Sequence, residues 1–343
     1  QGTFTQGQIL TEHGVCPSLG DVDNDGDLDL WLGRAGSDTL FINDGAGKLG
    51  PQHLAGTGEN AKTTYHTRLV DIDSDGDLDL TALRVKAGLI PVNASSQAQT
   101  ASVFNNNRDG TYKDIAAELG LLLSERPVAA LACDDFDNDR DLDIMVIHAD
   151  GQAFGWINDR AWQHRVLDQA AMNLTGLGPV LSATSGDPDR DGDRDLLICT
   201  QAGPLLFLNQ GQLRFQCDRQ FKHQFQGLSP SGAQFVDMDS DGDLDIVLAD
   251  AQRRAGKRGP TILVNDPITG SFTDVLKQDK GNLLAAVSFA GRASGMAADF
   301  TGNGRCDLLL APSDQPPLLI ENVTAQGHWI ALDLGGTRGA DQK

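Results

Sequence analysis

A chain of 343 residues with 40% apolar content is long enough for one large β domain or two ordinary ones. Its 48 acidic residues outnumber 27 basic ones, a formal charge of −21 at pH 7, which argues against nucleic acid or an anionic membrane as partner because counterion release needs clustered Lys and Arg. Five scattered cysteines without CxxC spacing indicate neither a zinc site nor a disulfide framework, and no run approaches the ~18 apolar residues of a membrane-inserted helix.

In chain order, the first element is Gly2-Thr3-Phe4-Thr5, worded like the later hairpin strands Gly110-Thr111-Tyr112-Lys113 and Gly270-Ser271-Phe272-Thr273. An acidic loop follows at 21–29 (DVDNDGDLD), and it recurs at 71–79, 135–143, 187–195, 237–245 and, in altered form, 299–307 (DFTGNGRCD). These loops hold more than half of the acidic residues. After each comes an apolar run such as Leu28-Asp29-Leu30-Trp31-Leu32 or Ile144-Met145-Val146-Ile147. Next stands a second signature, two or three apolar residues and an Asn, as in Leu40-Phe41-Ile42-Asn43, Phe207-Leu208-Asn209 and Leu263-Val264-Asn265. A third strand-like stretch and a fourth lead into the next loop, for example Phe235-Val236 before Asp237.

Short apolar stretches punctuated by Gly, Asn and Asp are the pattern of strands. Four antiparallel strands per repeat of ~50 residues make one propeller blade, and radial repetition protects the sheet edges. The predicted fold is therefore all-β, a propeller of four-stranded blades over residues 1–327. Six loops predict six blades, with seven the alternative if the native chain runs past Lys343. Gly2–Thr5 is predicted to pair with the strand Leu318–Asn322 and close the last blade; the competitor for that edge is His328–Leu332. Inserts near Val85–Thr100 and Ala251–Gly259 join second and third strands, so they project from the face opposite the acidic loops. One of them, Arg253-Arg254-Ala255-Gly256-Lys257-Arg258, is a basic island, read as a solvated loop or as a contact for an acidic protein or glycan. The other carries Leu89-Ile90-Pro91-Val92.

The loops carry the chemistry. Carboxylates at positions 1, 3 and 5, a Gly at 6 for the sharp turn and a backbone carbonyl at 7 form the first half of a calcium loop. An EF-hand would need Glu at position 12 and flanking helices; here position 12 is apolar, and Asp at position 9 closes the set. The predicted ligand groups are Asp21, Asp23, Asp25, Asp27 and Asp29; Asp71, Asp73, Asp75, Asp77 and Asp79; Asp135, Asp137, Asp139, Asp141 and Asp143; Asp187, Asp189, Asp191, Asp193 and Asp195; Asp237, Asp239, Asp241, Asp243 and Asp245. The sixth loop supplies Asp299, Thr301, Asn303, Arg305 (through its carbonyl) and Asp307. All-oxygen ligands select calcium or magnesium over zinc or copper, and a flexible, carboxylate-rich loop suits the larger Ca2+. Arg140 replaces Gly at position 6 of the third loop, where a non-Gly residue at positive φ costs ~1 kcal/mol. The sixth loop, poor in carboxylates, is expected to be the weakest.

These residues together resemble the FG-GAP/VCBS repeats of integrin α-like propellers, and the pairing of the acidic loop with the Leu-Phe-x-Asn hairpin is similar to the cartilage acidic protein group. In that group an ASPIC/UnbV domain follows the propeller, and residues 328–343, which open His328-Trp329-Ile330 after Gly327, resemble its start. The resemblance implies calcium on the loop residues above and a secreted, cell-surface or periplasmic setting. Modular calcium sites of about 10⁻⁴ to 10⁻³ M fill only where calcium is plentiful, which agrees.

No catalytic motif stands out. The seven histidines show no HExxH or HxH arrangement, and no GxSxG elbow, P-loop or dinucleotide fingerprint occurs. The expectation is an extracellular, calcium-stabilised propeller that binds a protein or glycan without chemistry of its own. The alternatives are a polysaccharide lyase or a lectin built on the same scaffold.

Overall fold

The computed structural model describes residues 16–322 apart from 35, 37, 45–47, 53–61, 74, 87–99, 119–126, 160–163, 254–255, 267, 276–283, 285, 300–302 and 314–317. Blade 1 comprises β1 (Cys16–Gly20), β2 (Asp29–Gly33), β3 (Thr39–Asn43) and β4 (Leu49–Gln52). Blade 2 is β5 (Lys62–Val70), β6 (Asp79–Lys86), β7 (Thr100–Asn106) and β8 (Tyr112–Asp114). Blade 3 is β9 (Val128–Asp134), β10 (Asp143–His148), β11 (Ala153–Asn158) and β12 (His164–Asp168). Blade 4 is β13 (Val180–Gly186), β14 (Asp195–Thr200), β15 (Gly203–Asn209) and β16 (Phe215–Cys217). Blade 5 is β17 (Ala233–Val236), β18 (Asp245–Gln252), β19 (Arg258–Asp266) and β20 (Ser271–Asp274), and blade 6 is β21 (Ala293–Ala298), β22 (Asp307–Pro312) and β23 (Leu318–Ile320).

Every blade is an antiparallel meander in sequence order, four-stranded in the first five and three-stranded among the described residues of the sixth. The first strands form the inner ring. Each packs beside the first strand of the next blade, and β1 meets β21, so six blades close the circle. The predicted N-terminal closing strand and its rival at 328–332 lie outside the described residues.

Second strands such as β2 and β10 are buried along their whole length, which is why Leu30-Trp31-Leu32 and Ile144–Ile147 are apolar runs and do not alternate. Both faces of a blade are covered by neighbours, so both must be apolar, as in a sheet sandwiched between layers. The core is accordingly divided among the seams. Trp31 and Leu40 of blade 1 pack with Leu80, Phe104 and Tyr112 of blade 2, and Leu83 and Val103 of blade 2 with Leu131, Ile144 and Trp156 of blade 3. Each such side chain taken from water stabilises by ~1.5–3 kcal/mol.

One element has no counterpart in the strand pattern. Helix α1 (Arg219–Phe225) links β16 to blade 5, capped by Asp218, whose carboxylate accepts from the N–H groups of Gln220 and Phe221. It buries Phe221 and Phe225 in the seam of blades 4 and 5 against Ile246, Leu248 and Leu263.

The basic island differs from its predicted solvated loop. Arg253 turns inward, its guanidinium donating to the carbonyls of Val287, Leu284 and Pro260, and Arg258 pairs at 3.0 Å with Asp250, which is fully buried. Two of its cations thus serve as internal supports for blade 5, because a buried carboxylate and orphan carbonyls need donors. Arg254 and the apolar stretch 89–92 lie outside the described residues.

Candidate metal centres

Each acidic loop joins the first and second strands of a blade, so all lie on the face that also carries the turns between third and fourth strands. The loop folds around its own carboxylates. The position-1 Asp accepts from the N–H of position 6 at 2.6–3.2 Å in all six loops, and the position-5 side chain accepts from the N–H of position 7 at 2.9–3.2 Å. The turn needs left-handed backbone at position 6. Gly26, Gly76, Gly192, Gly242 and Gly304 have φ of 80–98°, and Arg140 is held there at 79°.

This winding brings positions 1, 3 and 9 together. Asp21, Asp23 and Asp29 have ligand oxygens within 4.8 Å of one another, as do Asp71, Asp73 and Asp79; Asp135, Asp137 and Asp143; Asp187, Asp189 and Asp195; and Asp237, Asp239 and Asp245. In the sixth loop Asp299 and Asn303 keep the same turn, Thr301 lies outside the described residues, and the Arg305 side chain donates to the Asn322 carbonyl at 2.8 Å.

Position 9 is the fixed point. Asp29, Asp79, Asp143, Asp195, Asp245 and Asp307 are all fully buried. The Oδ1 of each accepts from the backbone N–H of the Asn at the end of the third strand, Asn43, Asn106, Asn158, Asn209, Asn265 or Asn322, at 2.7–2.9 Å. Among the described residues, Oδ2 accepts from the N–H of position 2 at 2.8–3.0 Å in four loops, the donors being Val22, Ile72, Phe136 and Met238. The fourth loop has Pro188 there, which has no N–H, and Asp195 Oδ2 is buried with no hydrogen-bond partner. Asp187 Oδ1 in the same loop is likewise buried and unpartnered, as are Asp137 Oδ1 and Asp239 Oδ1 in theirs.

Burial and crowding raise the carboxyl pKa values. Burial is the largest cause at Asp29, Asp79, Asp143, Asp195 and Asp245, opposed by the backbone N–H donors each of them has, and Asp79 and Asp245 stand at about 6 and Asp143 at about 7. Asp195, with one donor fewer, is pushed to about 8. The position-3 residues Asp23, Asp73, Asp137, Asp189 and Asp239 are raised too, by burial first and by neighbouring carboxylates second. Buried carboxylate oxygens without donors, converging within a few ångströms, are a donor set that fits a hard divalent cation.

Positions 5 and 7 are the less uniform members. Asp75 and Asp77 pair with Arg108, Asp243 pairs with Arg190 of the preceding loop, and Asp193 accepts from Asn138 of the loop before it at 2.5 Å. These side chains tie loop to loop or loop to hairpin. At the third site Arg165 also reaches Asp137 Oδ2 at 3.1 Å, a cation already beside a ligand position.

The hairpin asparagines were part of the sequence signature but had no role assigned to them. Besides donating their backbone N–H to the position-9 carboxylate, Asn209, Asn265 and Asn322 donate their Nδ2 to the position-2 carbonyls of the preceding loops, Phe136, Pro188 and Met238, at 2.8–3.1 Å. Their fixed recurrence six residues before the fourth strand in blades 1 to 5 was the signal that could have shown this.

The repeat now has both its wording and its geometry. The family model described as FG-GAP-like repeat matches residues 21–82 and 187–248, two stretches that each run from one acidic loop through the next into the second strand of the following blade. The chain is a six-bladed β-propeller that carries FG-GAP-like repeats. No curated protein sequence matches the chain. Among solved structures, an FG-GAP-repeat propeller of this shape is similar to a lectin from Agrocybe aegerita described by its specific recognition of non-reducing terminal N-acetylglucosamine, with TM-score 0.52, 17% identity, and coverage of 90% of this chain and 80% of that one. A Tc holotoxin pore of Photorhabdus luminescens aligns with TM-score 0.46 and 16% identity, over 88% of this chain and 13% of that one. The likeness to the lectin concerns the fold.

Proposed function

We propose that this FG-GAP-repeat propeller is an extracellular binding module stabilised by Ca2+, one ion in each of the five loops that retain carboxylates at positions 1, 3 and 9. The observation that carries the reading is the set of buried, donorless oxygens of Asp137, Asp187, Asp195 and Asp239 inside those clusters. Leaving such oxygens without a counter-charge costs stability; an ion bound only by the native state returns it. Calcium suits the loops better than magnesium because they offer many flexible carboxylates and no octahedral cage. An ion here would supply structural charge neutralisation. The chain's own part is to hold each position-9 carboxylate rigid through its Asn donor and, in every one of these loops but the fourth, a position-2 donor as well.

The test is direct. Metal-stripped protein is dialysed against calcium and its bound metal counted, with five ions per chain expected and magnesium competing poorly. Uptake of no calcium would overturn the reading.

The partner is proposed to be a protein or glycan outside the cell. The lectin-like fold favours a glycan as the second, more specific reading, and binding on a glycan array would support it. We propose no catalytic activity; release of unsaturated ends from uronic-acid polymers would contradict that and favour a lyase.

A further inference from the structure

Two neighbouring loops share more than a seam. In blade 3 the Phe136 N–H donates to Asp143 Oδ2 at 3.0 Å, and the Phe136 carbonyl accepts from Asn209 Nδ2 at 2.9 Å. In blade 4 the Asn209 N–H donates to Asp195 Oδ1 at 2.7 Å. The closing carboxylates of loops 3 and 4 are therefore joined by an unbroken line of three hydrogen bonds through just two residues. Asn209 is fully buried, so neither of its donors has water as an alternative partner. A second tie runs beside it, from Asn138 Nδ2 to Asp193 Oδ1 at 2.5 Å.

The seam between loops 4 and 5 lacks that continuity. Asn265 donates to the Pro188 carbonyl at 2.8 Å and to Asp245 Oδ1 at 2.8 Å, but Pro188 has no N–H to pass on to Asp195. The line resumes at the next seam, where Met238 donates to Asp245 and its carbonyl accepts from Asn322.

We infer that Asn209 is a positioning residue shared by two cation sites, and that it makes ion binding at loops 3 and 4 cooperative. The inference rests on the cation reading above and deepens it. An ion that fixes Asp195 also fixes the Asn209 backbone and its amide, and through the amide the Phe136 peptide that orients Asp143. Ordering is then met once for both sites, so the second ion binds more readily than the first. Coupling of this kind is typically 5- to 150-fold in affinity, roughly 1–3 kcal/mol. At Asn265 the equivalent path stops at Pro188 and transmits nothing to Asp195 by this route.

The test uses the full chain with Asp23→Ala, Asp73→Ala, Asp239→Ala and Asp299→Ala, leaving loops 3 and 4. Calcium titration by calorimetry is expected to show two ions with a Hill coefficient above 1. Adding Asn209→Ala should keep both ions but bring the coefficient to 1, whereas Asn265→Ala should leave it unchanged. Should the four-site variant fail to fold by circular dichroism, Asp189→Ala in the otherwise natural chain gives the same reading: one ion lost and a second weakened at least fivefold, the weakening abolished by Asn209→Ala. Two ions that bind independently, or cooperativity that survives Asn209→Ala, would overturn the inference while leaving the cation sites standing. Binding of no ion would overturn both.

Discussion

Pro188 withholds from Asp195 the hydrogen bond that Asp29, Asp79, Asp143 and Asp245 each receive from position 2 of their loops. The consequence is written in the carboxyl itself, raised to about 8 where its counterparts in blades 2, 3 and 5 reach about 6 or 7. Pro188→Ala supplies the missing donor. A hydrogen bond to a charged group stabilises by ~1.5–3 kcal/mol, against which the lost rigidity of proline costs ~0.4–1 kcal/mol in the unfolded chain. Metal-stripped Pro188→Ala should therefore be more stable than the parent at pH 9 by about 1 kcal/mol, read as a higher urea midpoint. An unchanged or lower midpoint contradicts the account.

The raised carboxyls also fix the sign of the pH response. A group whose folded pKa lies above its unfolded one stabilises most below the unfolded value and loses that contribution as pH rises through the folded value. For Asp79, Asp245, Asp143 and Asp195 this window runs from about 4 to about 8. Metal-stripped protein is thus expected to melt at progressively lower temperature between pH 5 and pH 9. With saturating calcium the slope should flatten or reverse, because the ion takes the place of the proton and binds the deprotonated loops. Parallel curves with and without calcium would count against cations in these clusters.

Arg140 provides the third prediction. It occupies at φ 79° the turn position that is Gly in the five other loops. Arg140→Gly relieves a left-handed conformation costing about 1 kcal/mol and removes a cation from the loop's surroundings. Both the thermal midpoint and the calcium affinity of the third loop should rise. A fall in either would mean that the Arg side chain contributes more than its backbone costs.

The architecture was legible because the repeat is redundant. Six loops with one grammar, each followed by an apolar run and an Asn hairpin, left little choice but a ring of similar blades, and β18 (Asp245–Gln252) begins at the closing carboxylate as β2 and β10 do. Two kinds of feature escaped. Helix α1 is seven residues long, too short for periodicity to register, and exists because Phe221 and Phe225 fill a seam between blades. Arg253 and Arg258 looked like solvent-facing cations because their partners, the Val287 carbonyl and Asp250, are adjacent in space and remote or unremarkable in sequence. Pro188 was visible, but its meaning depends on knowing that position 2 donates to position 9.

On the face opposite the acidic loops, the seam of blades 1 and 2 is held by a buried ion pair. Arg84 Nη2 lies 3.2 Å from Asp38 Oδ2, with Thr64 Oγ1 donating to the same oxygen at 2.9 Å and the Arg34 N–H to Oδ1 at 3.2 Å. The guanidinium carbon sits 4.5 Å above the Phe104 ring. Burial raises the Asp38 pKa, and the Arg84 charge is the strongest influence opposing it. Removing the cation leaves a carboxylate buried with neutral donors only. Arg84→Met should cost about 3–5 kcal/mol, since breaking a buried pair strands a charge. The double variant Asp38→Asn with Arg84→Met should recover a large part of that loss, because the stranded charge is gone and the methionine keeps contact with Phe104. The check is a double-mutant cycle on urea midpoints in saturating calcium, where the loops on the other face stay constant. If the two substitutions prove additive, the pair carries no coupling energy and the seam is held by its apolar core alone.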